Sequence, residues 1–194
     1  ANTKDTLENN NQWDSVEVVI PDFKPKLKLQ GNYLNGNRDG TWTEFYKDGK
    51  RKTELNYSNG KFSGLQSYWS SNGNKIEEKN YIHGKQQGLW TIYYEETGIK
   101  KEETNYVDGV QEGLWTEWFE DGQKRRERNF KNGERDSTWT TWYKNGNKKF
   151  LATYINGKLN GKYIRWFEGG IIKELDGDYL NNKKHNKWVF WEKN

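Results

Sequence analysis

An aromatic residue followed three positions later by glycine recurs along nearly the whole chain, and no other feature limits its fold so tightly. Tyr33/Gly36, Tyr57/Gly60, Tyr81/Gly84, Tyr106/Gly109, Phe130/Gly133 and Tyr154/Gly157 fit the pattern, and Tyr179/Asn182 fits it with asparagine in the glycine place. Successive anchors lie 24 or 25 residues apart. A fixed period of this length marks a tandem array of small supersecondary units. Further columns run in phase. Gly40, Gly64, Gly88, Gly113, Ser137, Gly161 and Asn186 form one, and Trp42, Gln66, Trp90, Trp115, Trp139, Tyr163 and Trp188 form the next. Phe45, Trp69, Tyr93, Trp118, Trp142, Trp166 and Trp191 form a third. A second turn glycine closes six units, at Gly49, Gly73, Gly98, Gly122, Gly146 and Gly170. The 25-residue steps place one extra residue near Glu95–Gly98 and another near Gly170–Tyr179.

Each unit reads as a β-hairpin. Segments such as Thr41-Trp42-Thr43-Glu44-Phe45-Tyr46 are rich in threonine and aromatics, which suit a pleated, half-buried surface. Dipeptides such as Asp48-Gly49 and Asn59-Gly60 bound them and predict two-residue hairpin turns. Glycine interrupts any 3.6-residue apolar stripe, so helix is disfavoured. The expectation is an all-β chain, an elongated and twisted antiparallel meander of about seven tandem hairpins over residues 27–194. Residues 1–26 fall outside the array. Ala1–Gln12 is expected to be disordered, and Val16–Ile20 to form a capping strand that stops at Pro21.

Composition sharpens this. A mean hydropathy of −1.30 with 31% charged residues leans toward disorder, but 11 Trp, 12 Tyr and 8 Phe outweigh that tendency. The net charge of +4, from 32 basic and 28 acidic residues, is interleaved along the chain, without the basic stripe of a nucleic-acid binder. No apolar run reaches the ~20 residues of a membrane-spanning helix. The chain has no cysteine and no methionine. Its polar start, Ala1-Asn2-Thr3-Lys4-Asp5, is of the kind signal-peptidase cleavage leaves, so export to the periplasm, cell surface or medium is the expectation, with a trimmed start as the plainer alternative.

An enzyme needs a constellation that does not repeat, and none is visible. His83 and His185 sit far apart in different units and are read as turn residues. The glycines follow the hairpin period rather than a phosphate-cradling loop. The carboxylates Glu54, Glu78, Glu103 and Glu127 form a column beside Lys52, Lys101 and Arg125, which reads as cross-strand charge ladders rather than a catalytic pair. No catalytic residue, metal site or cofactor is expected.

Strand alternation divides the rings between two faces. With a two-residue turn at Asp48-Gly49, Trp42 lies opposite Leu55 and Phe45 opposite Lys52. The first face then holds Trp42, Trp90, Trp115, Trp139 and Trp188 together with Tyr46, Tyr94, Phe119, Tyr143 and Phe167, a density that suits the buried side. The second face holds Phe45, Trp69, Tyr93, Trp118, Trp142, Trp166 and Trp191, the candidate partner-binding residues. Such a row suits a partner protein or the stacking of sugar rings. It is equally compatible with rings covered by lysine and arginine stems.

The motif Tyr-x-Asn-Gly-x-x-x-Gly-x-Trp-x-x-x-Tyr-x-x-Gly, as it stands in Tyr33–Gly49, resembles that of bacterial MORN-repeat-variant proteins, the YwqK-type antitoxin component family. The resemblance covers about residues 31–194. Gln66 and Tyr163 depart from its tryptophan, and Ser137, Asn182 and Asn186 from its glycines. It implies MORN-like β-hairpins and a non-enzymatic scaffold for protein–protein interaction, antitoxin- or immunity-like, in an exported bacterial protein. A carbohydrate or cell-wall module and association with anionic membranes are the alternatives, the latter because MORN proteins at large are linked to acidic phospholipids.

Overall fold

The computed structural model describes residues 14–20 and 26–193; the disorder expected of Ala1–Gln12 lies outside them. Seventeen strand segments form one sheet: β1 (Asp14–Ile20), β2 (Lys26–Leu34), β3 (Asn37–Phe45), β4 (Arg51–Ser58), β5 (Lys61–Phe62), β6 (Gly64–Trp69), β7 (Lys75–Ile82), β8 (Lys85–Tyr93), β9 (Lys100–Val107), β10 (Val110–Gln111), β11 (Gly113–Trp118), β12 (Lys124–Lys131), β13 (Glu134–Trp142), β14 (Lys148–Ile155), β15 (Lys158–Trp166), β16 (Lys173–Leu180) and β17 (Lys183–Phe190). Every pairing is antiparallel. Each strand pairs with its neighbours in sequence; β5 and β6 are one strand interrupted at Ser63 and both lie on β4, as β10 and β11 both lie on β9. Among the described residues β1 pairs only with β2 and β17 only with β16, so the sheet is an open meander.

Two kinds of turn alternate along the chain. Asn35-Gly36, Asn59-Gly60, His83-Gly84, Asp108-Gly109, Asn132-Gly133, Asn156-Gly157 and Asn181-Asn182 have positive φ at both residues, the two-residue turn whose twist matches the strands. The other turns are longer than expected. The Tyr46 N–H donates to the Lys50 carbonyl (2.8 Å) and the Gly49 N–H to the Tyr46 carbonyl (2.9 Å), which encloses three residues, Lys47-Asp48-Gly49. Only the glycine takes positive φ there; the Asp48 carboxylate instead accepts from the Lys50 N–H at 3.1 Å, as Asn72, Asp121 and Asn145 accept two residues on. Trp42 does lie opposite Leu55, but Phe45 falls opposite Arg51 and not Lys52, because Lys52 becomes the extra residue of a bulge. The first inserted residue is absorbed in one of these loops, where the Gly98 N–H reaches back four residues to Tyr94. The second widens the loop that the Phe167 N–H and Ile172 carbonyl close.

The Gly40 column has positive φ in all seven units, at Ser137 (54°) and Asn186 (58°) as well as at the glycines. That bend breaks the pairing to the preceding strand, as between Gln30 and Asn32, while pairing to the following strand runs on. The break lets the tryptophan two residues later fold back over the preceding strand. At Gly31 a methyl group would fall inside the Trp42 ring, and at Gly177 inside that of Trp188.

On the first face these rings pack in short runs. Tyr33 packs on Trp42 (centroids 4.9 Å apart), Tyr81 on Trp90 and Trp90 on Tyr106, Phe130 on Trp139 and Trp139 on Tyr154, Tyr179 on Trp188. Trp42, Trp115, Trp139 and Tyr154 are buried. The indole N–H groups of Trp42, Trp90, Trp139 and Trp188 donate to the carbonyls of Asn32, Asn80, Asn129 and Asp178 at 2.9–3.2 Å. Gln66 keeps that bond without the ring: its Nε2 donates to the Asn56 carbonyl (3.0 Å), and its Oε1 accepts from the Asn56 N–H (2.8 Å). Phe62 fills the vacated volume between Tyr57 and Tyr81.

Units are also stapled to one another. The N–H groups of Gly60, Gly84, Gly109, Gly133 and Gly157 donate to the carbonyls of Arg38, Phe62, Gln86, Gln111 and Arg135 in the unit before. On the opposite edge the hydroxyls of Tyr46, Tyr94 and Tyr143 donate to the carbonyls of Trp69, Trp118 and Trp166 in the unit after. Stability in such an array passes from neighbour to neighbour.

Candidate docking face

Phe45, Trp69, Tyr93, Trp118, Trp142 and Trp166 lie half-buried in one row on the second face, and Trp191 continues it, 39% exposed. The strand register sets a basic residue opposite each of the first six: Arg51, Lys75, Lys100, Lys124, Lys148 and Lys173. Five of these bases reach a carboxylate three residues on: Arg51–Glu54, Lys75–Glu78, Lys100–Glu103, Lys124–Glu127 and Lys173–Asp176. The expected cross-strand ladder is instead a set of pairs within single strands, made with different bases. Lys52 and Arg125 are carried to the first face by the bulge, where they pair with Glu44 and Glu117 at 3.0 Å, and Lys101 sits over the Tyr94 ring.

The row is largely committed to contacts within the sheet. Lys75 lies over Trp69 and Lys100 over Trp118. The Tyr93 hydroxyl donates to Glu78 at 2.8 Å, and Lys75 donates to the same carboxylate. Burial alone would raise Glu78, but the hydrogen bonds from Lys75 and Tyr93 hold it below its ordinary value. Burial, then the bond to Glu78, pushes Tyr93 up to about 12. The raised phenol favours the folded state fully below the ordinary tyrosine value of about 10, and that contribution is lost as pH rises from there through about 12. Glu78 acts in the other direction: its contribution is present above the ordinary carboxylate value and is lost as pH falls through the depressed one. Spectrophotometric titration of the wild type against Tyr93→Phe is expected to show one fewer phenol ionising in the late step near 12, with the earlier step unchanged.

Beside this row runs one that makes no such commitment. Leu65, Leu89 and Leu114 are 45%, 58% and 48% exposed, at equivalent places in three consecutive units and on the same face as Trp69, Tyr93 and Trp118. Across the strands from them stand Asn80, Asn105 and Asn129. Ile82 and Val107, also exposed, extend the row toward the two-residue turns. Single exposed aliphatics are ordinary; here they recur at one place in three consecutive units, with asparagines between them, and suit a contact surface. The leucines were not among the candidates read from sequence. Their signal was there, in the dipeptides Gly64-Leu65, Gly88-Leu89 and Gly113-Leu114, where the other units carry Thr41, Thr138, Lys162 and Lys187.

His83 does sit in a turn, with φ of 50°, but His185 lies within β17 opposite Asp178 rather than in a turn. Among the described residues no group of three or more histidine, cysteine, aspartate or glutamate side chains could hold a metal ion, and no helix is long and apolar enough to cross a membrane. Residues 38–59, 111–132 and 135–156 match the family model of the MORN repeat variant. These units are similar to MORN repeats. No curated protein matches the chain. Each MORN match begins two residues before the bend and ends at the asparagine of a two-residue turn, so it covers an aromatic strand, a three-residue loop and the return strand. The three matched units have the regular length and keep both first-face rings, as in Trp139 and Tyr143. Most departures lie in unmatched units, as Gln66 and Ser70 in one and an inserted residue in the loops before Ile99 and Ile172 in two others, while Ser137 lies within a matched one.

Proposed function

We propose that this chain is a non-enzymatic MORN-like scaffold that holds another protein against its second face, with Leu65, Leu89 and Leu114 as the contact and the flanking lysine–glutamate pairs as its polar rim. The exposed leucine row carries the reading: it departs from the other units, and nothing within the described sheet covers it. MORN repeats generally serve protein or membrane binding and are typically non-catalytic, which supports the same conclusion. An apolar centre with a charged rim is the usual anatomy of a protein interface.

The test is the triple variant Leu65→Thr/Leu89→Thr/Leu114→Thr. Threonine already occupies this place at Thr41 and Thr138, so the melting temperature is expected to hold. Partner capture from extracts of the native cells is expected to fall at least about tenfold, as losing the apolar centre of an interface demands. Undiminished capture would remove the row from the interface. The same aliphatic row beside lysines also favours a second reading, association with anionic membranes, which co-sedimentation with anionic and neutral vesicles distinguishes. Glycan stacking has less support, since lysines lie over the Trp69 and Trp118 rings. Export and an immunity-type role suit such a scaffold; cell fractionation, and co-expression with the captured partner, would test them.

A further inference from the structure

On the opposite face one place brings two arginines against the same ring. In most units the position opposite the first-face ring is small or aliphatic: Leu55, Thr104, Ala152 and Gly177 face Trp42, Trp90, Trp139 and Tyr163. In the second unit it is Lys79, which pairs with Glu77 at 2.7 Å, and in the fourth it is Arg128. Its guanidinium lies 4.7 Å from the centroid of Trp115 and 4.9 Å from that of Trp139. A second arginine, Arg135, sits 4.8 Å from Trp139 and 5.5 Å from Tyr154. The result is one stack, Trp115–Arg128–Trp139–Arg135–Tyr154.

Neither Arg128 nor Arg135 makes a side-chain hydrogen bond or ion pair with any described residue. The nearby carboxylates are taken: Glu117 binds Arg125 and Arg126 at 3.0 and 2.9 Å, and Glu102 accepts the Trp115 indole N–H at 2.7 Å. Burial holds Arg128 below its ordinary value; the like charges of Arg126 and Arg135 press in the same direction, and Glu117 and Glu102 press against it. Stacking engages the flat faces of a guanidinium and leaves its rim of N–H donors free, the geometry that receives a carboxylate by two bonds at once.

We propose that the Arg128–Trp139–Arg135 stack receives paired carboxylates from an acidic segment of a partner protein. Charge complementarity selects that occupant. Two cations separated by a ring on an open sheet face match two carboxylates carried on one backbone, and a flat surface gives a small free anion little else to touch. The site lies on the face opposite the leucine row and does not depend on it.

The experiment titrates the full chain with a short Asp/Glu peptide, its Asn/Gln analogue, inorganic phosphate, and vesicles with and without anionic lipid, read by calorimetry and tryptophan fluorescence. Only the acidic peptide is expected to bind measurably, with an affinity that falls as salt rises. Arg128→Leu/Arg135→Leu is expected to weaken it at least about tenfold, given the strength of charge-assisted bonds. That variant is expected to fold, because Leu55 and Leu159 occupy the same places in other units. Arg135→Lys, which keeps the charge and loses the fork, is expected to fall between. Equal binding of the neutral analogue, wild-type affinity in the double variant, or arginine-dependent binding of anionic vesicles without binding of the peptide would each overturn the proposal.

Discussion

Trp139→Ala is expected to cost about 3–5 kcal/mol, the loss typical of a large buried ring, and to divide unfolding into two steps. Trp139 is buried, packs on Phe130 and Tyr154 at 5.4 and 4.9 Å, and carries Arg128 and Arg135 against its ring. Its indole N–H bonds the Asn129 carbonyl, which the substitution leaves without that donor. Strands pinned on both sides limit how far the cavity can collapse. In an array coupled only between neighbours, weakening the fifth unit also disconnects the first four from the last two. Denaturant unfolding followed by circular dichroism and by tryptophan fluorescence should then give non-coincident transitions. A single coincident transition with a loss below about 1 kcal/mol, the scale of an ordinary surface substitution, would show that the ring is not the centre of its unit.

Gln66→Leu is expected to destabilise by about 2–4 kcal/mol although it makes the interior more apolar, since each buried backbone group left unpaired costs about 1–3 kcal/mol. Gln66 is fully buried, and its amide satisfies both the N–H and the carbonyl of Asn56 and also bonds the Gly64 carbonyl. Leucine fills similar volume and satisfies none of these. Gln66→Trp restores the residue most units carry, yet it too is expected to destabilise, by about 1–3 kcal/mol from overpacking, because Phe62 already occupies the space between Tyr57 and Tyr81. Adding Phe62→Arg, the residue that stands over Trp42 as Arg38 and over Trp139 as Arg135, should recover most of that loss. Thermal melts of the two single variants and the double variant measure the coupling. Additive losses would mean that Phe62 and Gln66 are not one compensated pair.

These two positions show what the residue pattern disclosed and what it hid. Period, strand order and the division into two ring-bearing faces follow from alternation and glycine spacing, and the structure has all three. Turn length does not follow, because Asp48-Gly49 and Asn59-Gly60 are the same dipeptide chemistry in different settings. In the first the acidic oxygen caps a three-residue loop; in the second both residues take positive φ. The extra residue became a bulge at Lys52 and moved the basic partners of the glutamate column by one position. Gln66 read as a lost tryptophan, whereas it preserves the hydrogen bond and discards only the ring. The leucine row is masked in the sequence because ring density singles out Phe45, Trp69 and their successors instead. The described residues form a single sheet without a second layer; there rings are needed on both faces merely to pack, so density does not distinguish a site. The residues that depart from the repeat while remaining exposed do.

Everything rests on hairpins added one beside the next in an open row. The chain has no cysteine, so spin labels can be placed in pairs on single cysteines introduced at Leu65 and, in turn, at Leu89, Leu114, Thr138 and Lys162. At about 4.8 Å per strand, each further unit should add close to 10 Å, reduced somewhat by twist, so that the measured distance grows at every step. A distance that levels off or shortens by the third or fourth unit would mean a closed or folded-back sheet, and would contradict the open array on which the leucine row and the arginine stack are displayed.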